Sequence, residues 1–223
     1  MECYSFIRMD MAMRSKLRGI NMVGLLAVCL SAASAQNPVN LPDQVGPTLT
    51  ADPLSAGEKF DYRVVQTFGF RGFVGAGFGA VIGQERDVPR EWGEGWGAYA
   101  TRYAAALGTN LTRQSLAFGL ETALHEDPRY FPSEEKGFGK RMKNVLLQTV
   151  VARTDSGRET FAWARMGSAF AAGQLVNAWQ PPSTGTPGGG VTRGCIILGG
   201  DLAYNFLQEF IPFVRPRSLR EKH

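Results

Sequence analysis

The stretch Gly72-Phe73-Val74-Gly75-Ala76-Gly77-Phe78-Gly79-Ala80-Val81-Ile82-Gly83-Gln84 decides the fold class. It contains neither charge nor proline, and Gly75, Gly79 and Gly83 recur every fourth residue, so in a helix the three share one face. Such a face admits a close neighbour, as small-residue motifs do in membranes and in tight bundles. The spacing predicts a helix over 72–84 that packs, or oligomerises, through Gly75, Gly79 and Gly83. Upstream, Ser55 and Glu58 have capping-box spacing and open a helix to about Thr67. Downstream, after Asp87-Val88-Pro89, a helix over 92–107 puts Trp96, Tyr99 and Tyr103 on one side, and another over 110–125 stops ahead of Pro128. Further helices are expected over 138–152, 159–179 and 194–210, separated by the turn 154–157 and the Pro- and Gly-rich loop 181–190. The fold class expected is all-α, a compact bundle of six or seven Gly/Ala-rich helices in a single domain, residues 55–223.

Residues 1–35 have the form of a signal peptide. Arg14, Lys16 and Arg18 precede an apolar run from Ile20 to Leu30, and Ala33-Ser34-Ala35 stands before Gln36. Met13 gives a start of ordinary leader length, and Val28 before Cys29 departs from a lipoprotein processing site. Residues 36–54, with Pro38, Pro42, Pro47 and Pro53, read as an extended linker. The chain is therefore expected to be exported, to the periplasm or cell envelope. The leader holds Arg8, Arg14, Lys16 and Arg18 against Glu2 and Asp10, so the whole-chain charge of +4 falls by two on its removal. That residual charge argues for no nucleic acid. Cys3 and Cys29 lie in the leader, leaving Cys195 in an apolar string where a buried, inert thiol is expected and no disulfide is possible. Spanning a bilayer takes about 20 apolar residues, whereas Gly72–Gln84 offers 13 without charge and Met166–Gln180 offers 15 before Pro181. The helical periodicity also speaks against a small β-barrel.

Two polar strings could carry chemistry. In His125-Glu126-Asp127-Pro128-Arg129-Tyr130-Phe131, His125 is the one histidine before the C-terminal His223. A zinc protease motif needs a second histidine where Arg129 stands. A mixed metal site or a general base built on His125, Glu126 and Asp127 stands beside a structural reading, a helix end with the imidazole at the negative end of the dipole. In Arg153-Thr154-Asp155-Ser156-Gly157-Arg158, Arg153, Thr154, Asp155, Ser156 and Arg158 could hold an anion at a helix start, or cap a turn. Ser156 lacks a nucleophile-elbow pattern around it. Lys136, Lys140, Arg141 and Lys143, with Arg215, Arg217, Arg220 and Lys222, make two basic groups suited to anionic headgroups or to plain solvent exposure.

Arg86-Asp87 with Pro89, Glu91-Trp92-Gly93 and the two polar strings together resemble a group of uncharacterised bacterial proteins with export signals, over most of Ser55 to Phe213. The resemblance implies no activity and makes the two strings the first places to look for a site. The expected function is that of a non-enzymatic envelope protein, without cofactor or metal, associating with a membrane surface or another envelope protein. The alternatives are an envelope hydrolase or metal-dependent enzyme centred on His125, Glu126 and Asp127, and a periplasmic module binding an anion at the 154–158 turn.

Overall fold

The computed structural model describes residues 52–211, most of them helical. The expected signal peptide, the expected linker up to residue 51 and the basic group Arg215, Arg217, Arg220 and Lys222 lie outside the described residues. Helix α1 (Ala56–Phe68) opens at the expected capping box: the Glu58 amide donates to Ser55 Oγ at 3.3 Å, and Glu58 Oε2 accepts from the Ser55 amide at 2.8 Å. Gly69 separates it from α2 (Phe70–Glu85). A 3-10 turn at Arg90–Trp92 leads into α3 (Trp96–Leu124). Then follow α4 (Phe138–Val150), strands β1 (Val151–Arg153) and β2 (Glu159–Phe161), α5 (Trp163–Leu175), a 3-10 turn at Val176–Ala178 and α6 (Pro187–Phe210). Helix α3 packs on α1, α2 and α5; α6 packs on α4 and α5.

Several expected boundaries shift. The helices expected over 92–107 and 110–125 are one element of 29 residues. The Gly108-Thr109 step does not break it; a glycine or threonine inside a helix costs under about 1 kcal/mol, which packing outweighs. Thr109 and Thr112 turn their hydroxyls back to the Ala105 and Gly108 carbonyls, at 2.7 and 2.8 Å. The start of the helix expected at 159 is instead a strand. Val151 pairs with Phe161, Ala152 with Thr160 and Arg153 with Glu159, so the mainly helical fold carries a two-stranded antiparallel sheet. The hairpin closes through Thr154 to Arg158, and Gly157, at φ 81, takes a backbone angle that side chains disfavour. Helix α6 begins inside the expected loop, with Pro187 in its first turn and Thr186 Oγ1 accepting the Gly189 amide at 3.0 Å. Cys195, expected to be buried, is exposed.

The glycine face also behaves differently from expectation. A Cβ added at Gly75 or Gly79 would meet nothing within 4 Å; at Gly83 it would stand 3.1 Å from the Val88 carbonyl and 3.2 Å from the Arg102 stem. Within the chain, the close helix crossing is between α5 and α6. There a Cβ on Gly173 would collide with the Gly190 carbonyl, and one on Gly194 with Phe170.

The partition of polarity departs from that of a typical globular domain, where large apolar side chains are mostly hidden and charges are rarely buried, although Glu58 and Asp61 of α1 and Glu85 and Arg86 near the end of α2 do face outward. The buried apolar residues are small, chiefly alanines such as Ala117, Ala162, Ala164, Ala169 and Ala172, with Val145, Val176, Tyr130 and Phe131. Lys59, Arg63, Arg113, Glu121, Asp201 and Glu209 are buried among them. Outside, α1 shows Phe60, Val64 and Phe68, and α2 shows Phe70, Val74, Phe78 and Val81. Phe70 is 85% exposed and Phe78 68%. Among the described residues no helix is long and apolar enough to cross a membrane.

Candidate functional site

The two polar strings lie against each other. The Asp127 amide donates to the Arg153 carbonyl and the Asp155 amide to the His125 carbonyl, both at 2.7 Å, and Glu126 pairs with Thr154 as an antiparallel bridge. The loop after α3 thereby runs alongside the end of the hairpin through a single bridge.

Their side chains then part. His125 ends α3 in the left-handed conformation, φ 55, and its imidazole is 78% exposed, with Nδ1 3.4 Å from Asp155 Oδ2. Asp155 also accepts from the buried Lys59 Nζ at 2.8 and 2.9 Å. Glu126 turns inward and accepts the amides of Trp163 and Ala164 at 3.1 and 3.2 Å, which places a carboxylate at the start of α5. Burial pushes the Glu126 carboxyl up to about 7, against the opposing pull of those amides. Asp127 folds back on Arg129, accepting from Nη2 at 2.6 Å, from Nε at 2.9 Å and from the Arg129 amide at 2.9 Å. Thr154 Oγ1 lies 2.9 Å from Ser156 Oγ and accepts the Arg158 amide at 3.1 Å. The Arg153 guanidinium sits over the Phe131 ring, 4.7 Å from its centre. Tyr130 donates to the buried Glu209 at 2.5 Å, and burial together with that carboxylate raises its hydroxyl above the usual range. The structure thus brings His125 to Asp155 and gives Glu126 and Asp127 separate partners. Among the described residues no group of three or more His, Cys, Asp or Glu is placed to hold a metal ion.

A second constellation runs through the polar interior. Arg63 of α1 donates from Nε to Glu121 at 2.8 Å and from Nη1 to Gln114 at 2.7 Å, and its Nη2 also meets Glu121. Asp201 of α6 accepts from Arg113 at 2.5 Å and from Arg71 at 3.3 Å. Burial works to raise the Asp201 carboxyl, but Arg113 and Arg71 outweigh it and hold the group below its ordinary value. Burial also draws the Arg113 guanidinium down to about 10, with Asp201 opposing.

Arg71, Arg113, Gln114 and Asp201 of this network border a cavity of about 740 Å³ between α2, α3 and α6. Arg71, Arg102, Arg113, Arg193 and Asp201 supply its charged lining, while Gly75, Ala76, Gly79, Ala105, Ala106 and Ile197 supply apolar wall. Gly75 and Gly79, read as part of a helix contact, therefore open onto space, while Gly83 meets the Val88 carbonyl and Arg102. Sequence reasoning missed Arg63, Arg71, Arg113, Glu121 and Asp201. The available signal was Lys59, Arg63 and Gln66 recurring at helical spacing opposite Phe60, Val64 and Phe68. That pattern identifies two faces of α1 without saying which one points inward. No family model matches the chain, and neither does any curated protein or solved structure.

Proposed function

We propose that this is a non-enzymatic protein of the bacterial cell envelope, exported by residues 1–35, which rests on a lipid bilayer through the outer sides of α1 and α2. The observation that carries this is the row of phenylalanines and valines exposed on α1 and α2, with paired charges buried behind them. In water such a surface is a standing cost of roughly 25 cal/mol per Å², which contact with acyl chains removes. Helix α2 is 16 residues, about 24 Å long at 1.5 Å per residue. It is shorter than the roughly 30 Å hydrocarbon core, which suits lying in the interface better than crossing it. Arg71, the one charge from Phe70 to Gln84, turns to Asp201, while Arg86 and Arg90 stand exposed just beyond, where anionic headgroups would meet them. Engagement of Glu126 by backbone amides and of Asp127 by Arg129 supports a fold-holding role for the first polar string.

The test is flotation of purified protein with vesicles of phosphatidylethanolamine and phosphatidylglycerol. The chain should float with the vesicles, and Phe70→Asp combined with Phe78→Asp should leave it in the dense fraction. Both side chains point outward, so the double variant should keep its helical circular dichroism. Fractionation of expressing cells should place the protein with envelope membranes. A wild-type chain that stays monomeric in the dense fraction without detergent would overturn the reading.

A further inference from the structure

We infer that the cavity between α2, α3 and α6 binds an anionic amphiphile, a carboxylate or phosphate head on one alkyl chain, with the head at Arg71, Arg113 and Arg193 and the chain along Gly75, Gly79 and Ala105. This goes beyond membrane attachment, which concerns the outer sides of α1 and α2.

Three observations carry the inference. The first is charge: Arg71 and Arg113 share the single carboxylate of Asp201, and Arg193 donates to neutral acceptors, the carbonyls of Gly173 and Thr184 and the Asn177 side chain. Three guanidiniums thus face one carboxylate among the described residues lining the cavity, and cations removed from water need anionic partners. Arg102 is not available to a ligand, since its donors go to the Val88, Pro89 and Gly93 carbonyls and to Gln84 and Asp87. The second is an unmet donor: Arg113 is 5% exposed, and its Nε finds no hydrogen-bond partner among the described residues. A buried donor in that condition costs free energy, which a small turn of the guanidinium toward an anion in the cavity would recover. The third is space: about 740 Å³ falls within the roughly 300–1,000 Å³ of small-molecule sites. Gly75 and Gly79 keep part of that space free of side chains, and Ala76, Ala105, Ala106, Ile196 and Ile197 give it an apolar stretch of wall beside polar lining from Asn110, Ser183 and Thr192. Inorganic phosphate would satisfy the head and leave that wall bare.

The experiment is titration calorimetry on the full chain with dodecanoate and with dodecyl phosphate below their micellar concentrations, beside inorganic phosphate and dodecanol. Both anionic amphiphiles should bind at one site and raise Tm, and dodecanol and inorganic phosphate should each bind at least tenfold more weakly. Gly79→Leu, whose side chain enters the cavity, should abolish binding. Arg193→Gln should weaken it roughly tenfold through loss of one charge-assisted hydrogen bond. Circular dichroism melts confirm that each variant is folded, and the two variants lie on different helices, so misfolding of one leaves the other as the test. Dodecanol binding as tightly as dodecanoate would overturn the inference. So would undiminished dodecanoate binding by folded Gly79→Leu, which would assign the ligand to the outer apolar surface. Because that surface is untouched by Gly79→Leu, vesicle flotation should persist in the variant, and the two readings can fail separately.

Discussion

His125 carries a backbone burden that its chemistry does not explain. At φ 55 it pays the left-handed penalty of roughly 1 kcal/mol that glycine escapes, and among the described residues its imidazole meets Asp155, at 3.4 Å. His125→Gly should therefore be more stable than His125→Ala by about 1 kcal/mol in urea unfolding, the reverse of the order in a helix interior. If His125 were a base in a reaction, both variants would lose activity alike whatever their stability. Glu126 makes a prediction in pH. Its folded carboxyl titrates near 7 and its ordinary value is 4.5, so between these the folded chain holds a proton that the unfolded chain releases. Its contribution to stability is complete below about pH 4.5 and is lost as pH rises through 7. Glu126→Gln should flatten the fall of unfolding free energy across that window, measured by urea titration at a series of pH values.

At the scale of elements, glycines divide by what lies opposite them. Gly75→Ala puts a methyl into open space on α2 and should raise stability by up to about 1 kcal/mol through helix propensity. Gly173→Ala drives the same methyl into the Gly190 backbone and should cost about 1–3 kcal/mol, read as a lower urea midpoint. Sequence shows the two glycines in equally apolar surroundings, and only the crossing of α5 and α6 separates them. What was legible locally came out well: the Ser55/Glu58 cap, the stop before Pro128 and the turn around Gly157 each depend on neighbours within four residues. The hairpin was not legible, because strands of three residues are too short for alternation to register against flanking helical signals. The pairing of Arg113 with Asp201 spans 88 residues and leaves no local trace.

Across the molecule, the same limit hid the cavity and the direction of burial. Phe60, Val64 and Phe68 make an amphipathic stripe whether they face a core or a bilayer, and Lys59 and Arg63 complete it equally in either case. The two strings that stood out in the sequence proved adjacent, joined by backbone hydrogen bonds, but the ionised groups that meet the cavity come from α2, α3 and α6, one or two residues from each and far apart in the chain.

The outward phenylalanines also bear on calorimetry. Heat capacity rises on unfolding because hidden apolar surface becomes hydrated, by roughly 12–15 cal/mol/K per residue in ordinary globular domains. A chain that already shows those side chains, and hides arginines and carboxylates whose exposure lowers the increment, has less to reveal. Detergent-free scanning calorimetry should find an increment clearly below that range, and with it a flatter stability curve, so that cooling should weaken this fold less than it weakens a protein with an aliphatic core.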